Sequence, residues 1–362
     1  MRYLLFITGI LLLLFSCKKE SDDILWERTF GEGRALYVRS ASDSGIISCG
    51  ILDGKAYLVK LSRERSVTAE VKYQEADLFS AAWADTGRFI AAGSDNGGLV
   101  LFCGDKDGNT IWDTLINPGF RIERARMVYS GSGNFLVAGT AMPDSAVDGR
   151  SGLIFVRFDT TGAIALRKDI NDNNFLAAGH ISVDAQGNII LPLTRKTIYA
   201  RAKASVAKYN SDFQKIWETE LYNNPDFGAA SFSATCDNSG NIFVTGKTEV
   251  SREAGTVDNS FLASLSTAGA VRWKKYLEQT NAGKTVALKS DLVYMLNRNC
   301  FVIDIAELSD GADAGKIRMY KACDSKNTDA TGEDMDFHYD GNILAAGSKS
   351  SNFYLSLKSE TQ

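Results

Sequence analysis

Four carboxylates and an imidazole crowd into eight positions near the end of the sequence: Glu333, Asp334, Asp336, His338 and Asp340. Alternation along an extended strand puts Asp334, Asp336 and His338 on one side. Two carboxylates beside an imidazole form a set suited to general acid–base catalysis, or to holding a cation. The simpler reading of the same residues is the solvated wall of a channel. On the first reading Asp334, Asp336 and His338 are the catalytic candidates.

A second group could bind rather than react. Arg121, Arg124 and Arg126 follow one turn region, and Arg195, Lys196, Arg201 and Lys203 surround Tyr199 in another. An arginine fork matches carboxylates and phosphates. Arg121, Arg124, Arg195, Lys196, Tyr199 and Arg201 are therefore candidates for a basic patch with an aromatic platform. An acidic glycan, a lipid headgroup or an acidic protein surface would fit it; the plainer alternative is scattered loop charge. No metal site is expected. Asp105-Lys106-Asp107-Gly108-Asn109 has the flavour of a calcium loop, but position 12 of such a loop needs a bidentate Glu and here it is Ile116. No cofactor motif stands out. Cys300 and Cys323 are candidates for a disulfide between neighbouring strand ends, whereas Cys49, Cys103 and Cys236 sit in apolar strands.

What must position these residues is a repeat. A turn of Asp, Asn or Gly is followed by a short apolar strand that closes on Gly. Examples are Asp85-Thr86-Gly87 to Gly93, Gly133-Asn134 to Gly139, Gly240-Asn241 to Gly246 and Gly341-Asn342 to Gly347. Asp, Asn and Gly tolerate the backbone of a tight hairpin, and the apolar run after them is a buried strand. A third strand follows each hairpin, then a fourth that is often aromatic, as at Trp112, Trp217 and Trp273. Four strands recur every ~40–55 residues, the period of a β-propeller. The expected fold is all-β: a seven-bladed β-propeller of four-stranded blades over residues 24–362. The last copy lacks its fourth strand, and Ile24–Phe30, with Trp26 in register, is expected to supply it. Long loops are expected at 117–124, 140–152, 194–204 and 247–259.

The turn and tryptophan of Asp105-Lys106-Asp107-Gly108-Asn109-Thr110-Ile111-Trp112 resemble the repeats of pyrroloquinoline-quinone-like propellers and related bacterial lipoproteins. That resemblance is architectural. The Ca²⁺-binding constellation that the quinone enzymes need does not appear, so no quinone is implied.

The chain opens Met1-Arg2-Tyr3, and an apolar run from Leu4 to Phe15 is broken only by Thr8 and Gly9. This is the layout of a secretory signal, too short for the ~20 residues of a comfortable span. Leu14-Phe15-Ser16-Cys17 resembles a lipobox, which makes Cys17 the expected site of acylation. Lys18-Lys19-Glu20-Ser21-Asp22-Asp23 is too polar to pack and resembles the export signal of Bacteroidota surface lipoproteins. Residues 1–17 are thus read as the signal and 18–23 as a linker. Outer-membrane anchoring by lipid follows, facing either the cell surface or the periplasm.

A net charge of −4 with no long basic stretch argues against nucleic-acid binding. No Ser–His–Asp spacing or phosphate-cradling glycine loop is present. The leading expectation is a lipid-anchored envelope binding or scaffold protein, monomeric outside a complex, whose loop face meets a protein or glycan. One alternative is a glycan hydrolase or lyase using channel carboxylates. The other is a scaffold of outer-membrane assembly.

Overall fold

In the computed structural model, residues 24–360 are described apart from 42, 74–75, 86, 96, 106, 118–120, 132, 143–151, 172–174, 196–200, 223–225, 253–254, 278–281, 299–301 and 319–329. Cys17, the Lys18–Asp23 linker, Lys196, Tyr199, Cys300 and Cys323 lie outside the described residues. Every regular element among them is a strand.

The strands form antiparallel meanders. The first comprises β1 (Ile24–Ser40), β2 (Ile46–Leu52), β3 (Lys55–Leu61) and β4 (Val67–Tyr73). Next come β5 (Ala76–Asp85), β6 (Arg88–Asp95), β7 (Gly98–Asp105) and β8 (Thr110–Ile116), then β9 (Arg121–Gly131), β10 (Asn134–Met142), β11 (Gly152–Asp159) and β12 (Ile164–Asn171). The fourth group has a broken first strand, β13 (Phe175–Ala178) and β14 (Ser182–Val183), followed by β15 (Ile189–Arg195), β16 (Lys203–Tyr209) and β17 (Lys215–Tyr222). Two regular sheets follow: β18 (Ala229–Cys236), β19 (Ile242–Arg252), β20 (Gly255–Leu265) and β21 (Val271–Leu277); then β22 (Gly283–Lys289), β23 (Leu292–Asn297), β24 (Val302–Glu307) and β25 (Asp313–Arg318). The chain finishes with β26 (Ala330–Phe337), β27 (Ile343–Lys349) and β28 (Asn352–Lys358).

The sheets pack in a ring through their first strands, with β2 against β5, β6 against β9, β10 against β13, β15 against β18, β18 against β22, β22 against β26 and β26 against β1. The second and third strands of each sheet are apolar on both faces because both are covered by neighbouring sheets. Ala56–Leu61, Leu99–Cys103 and Leu153–Val156 are continuous buried runs of this kind.

Strand β1 belongs to two neighbours. Ile24–Thr29 pairs with β28, Ile24 opposite Lys358 and Thr29 opposite Tyr354. Gly33–Ser40 pairs with β2. The result is one seven-stranded sheet, β26-β27-β28-β1-β2-β3-β4. The junction is locked by rings: Phe30 lies 5.6 Å from Phe353 and 6.1 Å from Tyr57, and Tyr57 meets Phe353 edge-on at 5.1 Å. Such pairs contribute about 0.5–1.5 kcal/mol each beyond their area.

The turns after each first and third strand lie at one end of the ring, here the turn end. Ile24 starts there too, opposite Lys358 at the end of β28. The links from second to third strands, and from sheet to sheet, lie at the other end, the loop end. One expected loop is different: residues 247–259 mostly continue β19 and β20 as a long hairpin, with Thr248 opposite Asn259 and Arg252 opposite Gly255. Its β-branched pair, Val250 opposite Val257, suits a pleated ribbon, so the segment pairs instead of looping.

The tryptophans fasten sheet to sheet. Trp112, Trp217 and Trp273 donate their indole N–H to the carbonyls of Thr160, Thr267 and Leu308 at 3.1, 3.2 and 3.3 Å. Each acceptor is in the third turn of the following sheet. The glycine of that turn lies flat on the indole: a Cβ on Gly269, whose φ is +86°, would stand 2.8 Å from Trp217 Cδ2. This accounts for the Asp-x-x-Gly-x-x-x-Trp pattern physically. Asp105 accepts the N–H groups of Asp107 and Asn109 at 2.9 and 2.8 Å, so its carboxylate braces its own turn.

Candidate functional site

Asp334 and Asp336 line up on β26, but the neighbouring strand uses them. Asp334 is fully buried. Its Oδ2 accepts the Val38 N–H at 3.1 Å and Arg39 Nη1 at 2.6 Å. Asp336 Oδ2 accepts the Ser40 N–H at 2.9 Å. These two carboxylates therefore join β26 to the second half of β1. Burial pushes the Asp334 carboxyl above its usual range, against the pull of Arg39. Burial alone would lower Arg39, but Asp334, Tyr37 and Asp336 raise it.

Arg39 is held on three sides. Nη1 also donates to the Val38 carbonyl at 2.5 Å, and the guanidinium stacks 4.3 Å from the Tyr37 ring centre. Its remaining edge faces a cavity of about 520 Å³ at the ring centre, whose wall includes His180, Ser233, Thr285 and Asp336. Asp237, Asn238 and Ser290, on turns of the turn end, also line it.

His180 is the residue that the sequence reading overlooked. Its Nδ1 lies 3.7 Å from Asp334 Oδ1, and that oxygen has no hydrogen bond among the described residues. The backbone explains its position. The first strand of the fourth sheet breaks between β13 and β14, and the His180 N–H donates to Phe232 O at 2.8 Å in the next sheet. Gly179 permits this crossing, because a Cβ there would stand 2.1 Å from Phe232 O. The signal available in the sequence was a Gly-His pair where an uninterrupted apolar strand belonged.

His338 does not join Asp334 and Asp336. It occupies the turn after β26, its N–H donating to Asn342 O at 2.8 Å, the place that Asp184 and Asp237 hold in their sheets. Its Nδ1 lies 2.9 Å from Asp340 Oδ1. The strict alternation expected through residue 338 ends with the strand at Phe337. The carboxylate pair thus has His180, from across the ring, as its imidazole neighbour. Glu333 faces the loop end of the channel, 3.1 Å from Lys284 and 3.6 Å from Arg34. Burial pushes its carboxyl up, but Lys284, Arg34 and Arg298 more than offset this and hold it below the usual range.

Of the basic candidates, Arg121 and Arg124 pair through their backbones with Met142 and Thr140. Arg195 ends β15 in the adjacent sheet, at the same end of the ring, and Arg201 is exposed. The Arg195 guanidinium is engaged by Glu218, at 2.6 Å through Nη2, and Lys215 reaches the same carboxylate at 3.1 Å. Arg195 is accordingly a poor free fork for a ligand. Cys49 and Cys103 are buried, and Cys236 is half-buried. No group of three metal-ligating side chains occurs among the described residues.

No family model matches this sequence, and no curated protein does. Solved structures do match in shape. The WD40 domain of Neurospora crassa Pan2 superposes with a TM-score of 0.62 at 11% identity, over 95% of this chain and 98% of that one. The fold is a β-propeller. The polysaccharide lyase Uly1 matches with a TM-score of 0.62 at 10% identity, over 91% of this chain and 90% of its own. The Dos1 propeller matches at 0.56 and 12% identity, over 90% and 78%. At these identities the likeness concerns the propeller fold alone.

Proposed function

We propose that this chain is a lipid-anchored propeller of the cell envelope that holds a protein or glycan on its loop end. We read the seven-stranded sheet as two blades sharing β1, which makes a ring of seven closed by the N-terminal strand. Acylation of Cys17 in the outer membrane is part of the same reading, carried by the signal-like run and the lipobox-like Leu14–Cys17.

The observation that carries the proposal is where β1 begins. Ile24 lies opposite Lys358 at the turn end, and six residues separate Cys17 from it. At full extension they span ~20 Å. A lipid on Cys17 therefore holds the turn end toward the membrane and presents the loop end outward. The loop end carries Arg201 and the start of β9 with Arg121 and Arg124. The likeness in shape to the Pan2 WD40 domain supports the propeller part of this reading.

A photo-crosslinker at position 201 in intact cells should trap an envelope partner, while the same group at Asp107, on the turn end, should not. With the crosslinker at 201, Arg121→Glu together with Arg124→Glu should weaken the adduct. Equal adducts from both ends would overturn the orientation.

A second reading, a polysaccharide hydrolase or lyase, is supported by His180 and Asp334 beside the central cavity. It requires that His180→Ala abolish a polysaccharide-cleaving activity while leaving the fold intact. An unaltered activity in that variant would dismiss the channel as its site.

A further inference from the structure

The large apolar side chains left exposed on this propeller are unevenly placed. Among the described residues, nine are exposed: Leu25, Ile111, Leu115, Tyr129, Ile164, Ile216, Val271, Tyr276 and Tyr339. Five of them, Leu25, Ile111, Ile164, Ile216 and Val271, occupy the first two residues of the strand that pairs with a sheet's third strand, β28 in the case of Leu25, in five different sheets. Their exposures run from 41 to 52%. Tyr129, whose hydroxyl accepts the Gly133 N–H at 3.0 Å, and Tyr339, in the turn after β26, lie at the same end. Seven of the nine therefore surround the turn end, and only Leu115 and Tyr276 lie toward the other.

The repeat explains the geometry without explaining the residue type. Leu25, Ile111 and Ile216 each precede the tryptophan that packs on the next sheet, so alternation turns them to the opposite side, into solvent. Nothing in the packing demands an apolar residue there: Arg272 precedes Trp273 and is exposed as well.

We propose that this collar is a contact surface for a bilayer of zwitterionic lipid. The proposal rests on the reading of Cys17 as the acylated residue. The occupant follows from where the chain leaves the ring: the described residues begin at Ile24, next to Leu25 of the collar, and an apolar run and Cys17 precede it by a linker of six residues. Any membrane that holds Cys17 lies within ~20 Å of this rim. Aliphatic side chains bury into the headgroup boundary, and tyrosines prefer that boundary because one end of the ring is apolar and the other wet. Charge selects the lipid. The turns at this end carry Asp43, Asp107, Asp159, Asp212, Asp237, Asp310 and Asp340 against Arg63 and Arg65, Arg63 being engaged with the Tyr339 hydroxyl at 2.7 Å, and this acidic excess disfavours an anionic surface.

The chain reports on itself, since Trp26, Trp112, Trp217 and Trp273 stand beside the collar. The full chain, purified from its host membrane, is reconstituted into phosphatidylcholine vesicles with and without bromine on the acyl chains. Acylation of Cys17 is read by mass spectrometry and anchoring by vesicle flotation. The collar predicts loss of tryptophan emission in brominated vesicles, largely restored in the Ile111→Ser/Ile216→Ser variant and weakened when phosphatidylglycerol replaces phosphatidylcholine. A chain that is acylated and floats but shows no bromine quenching overturns the collar and leaves the anchor standing. A chain without acylation that does not float removes the anchor, and the collar falls with it.

Discussion

Replacing Gly269 with alanine tests whether the tryptophan contacts fasten the ring. Two costs add at this position. Its φ of +86° is left-handed, which costs a residue with a Cβ ~1–2 kcal/mol. The new methyl would also stand 2.8 and 2.9 Å from Cδ2 and Cε3 of Trp217 and 3.1 Å from Thr219 Oγ1. The indole cannot swing away without breaking its bond to Thr267 O, and the Thr219 hydroxyl is engaged with Gly269 O at 2.7 Å. Overpacking of this kind costs ~1–3 kcal/mol. Gly187 is the matched control: its φ is +79° and a Cβ there meets nothing within 4 Å. Gly187→Ala should therefore cost only the backbone part, and Gly269→Ala should exceed it by ~1–3 kcal/mol. Equilibrium urea unfolding followed by circular dichroism gives both numbers from the midpoint and slope. In a Trp217→Ala background the excess should vanish, because the obstacle is gone. Equal losses at the two glycines, or an excess that survives without Trp217, would refute the idea that the indole occupies the space a side chain at 269 needs.

Glu333 sets a pH dependence. Its carboxyl is held below the ordinary range, so the stability it contributes is present above the unfolded value of ~4.3 and is lost as pH falls through the folded value. Glu333→Gln should flatten the acid limb of stability measured between pH 6 and 3, and coincident limbs would remove Glu333 from the account. Deleting residues 1–29 removes the partner of β28 and opens an unpaired edge. It should lower the urea midpoint and cause concentration-dependent association in light scattering, whereas an unchanged monomer would show that the ring does not depend on this strand.

The architecture was legible in the sequence because its signals are local. Asp or Asn three residues before a glycine, a buried run of five or six apolar residues and a tryptophan after the next turn are each set by backbone geometry within a few positions. The pairing of Ile24–Thr29 with β28 was also readable, from the missing strand and from the register of Trp26. The site was less accessible for two reasons. His180 reaches Asp334 across the ring, from 154 positions away in the sequence, and no local pattern encodes that approach. His338 was misplaced although the local pattern held: it stands three residues before Gly341, as Asp184 stands before Gly187 and Asp237 before Gly240. Its chemical type drew attention away from its turn position. Arg195 illustrates a third difficulty, since its partner Glu218 lies two strands away and only the folded sheet brings their charges together.

The double membership of β1 has a mechanical consequence. Tension applied through the N-terminus enters at Ile24 and runs along the strand axis, away from the turn end. The bonds from Ile24–Thr29 to β28 are then loaded together in shear rather than peeled one at a time. Beyond them the same strand continues, with Phe30 wedged between Tyr57 and Phe353, into its pairing with β2. A pull strong enough to free one sheet meets the next before the ring can open, so a load on the N-terminus is resisted by two sheets in series.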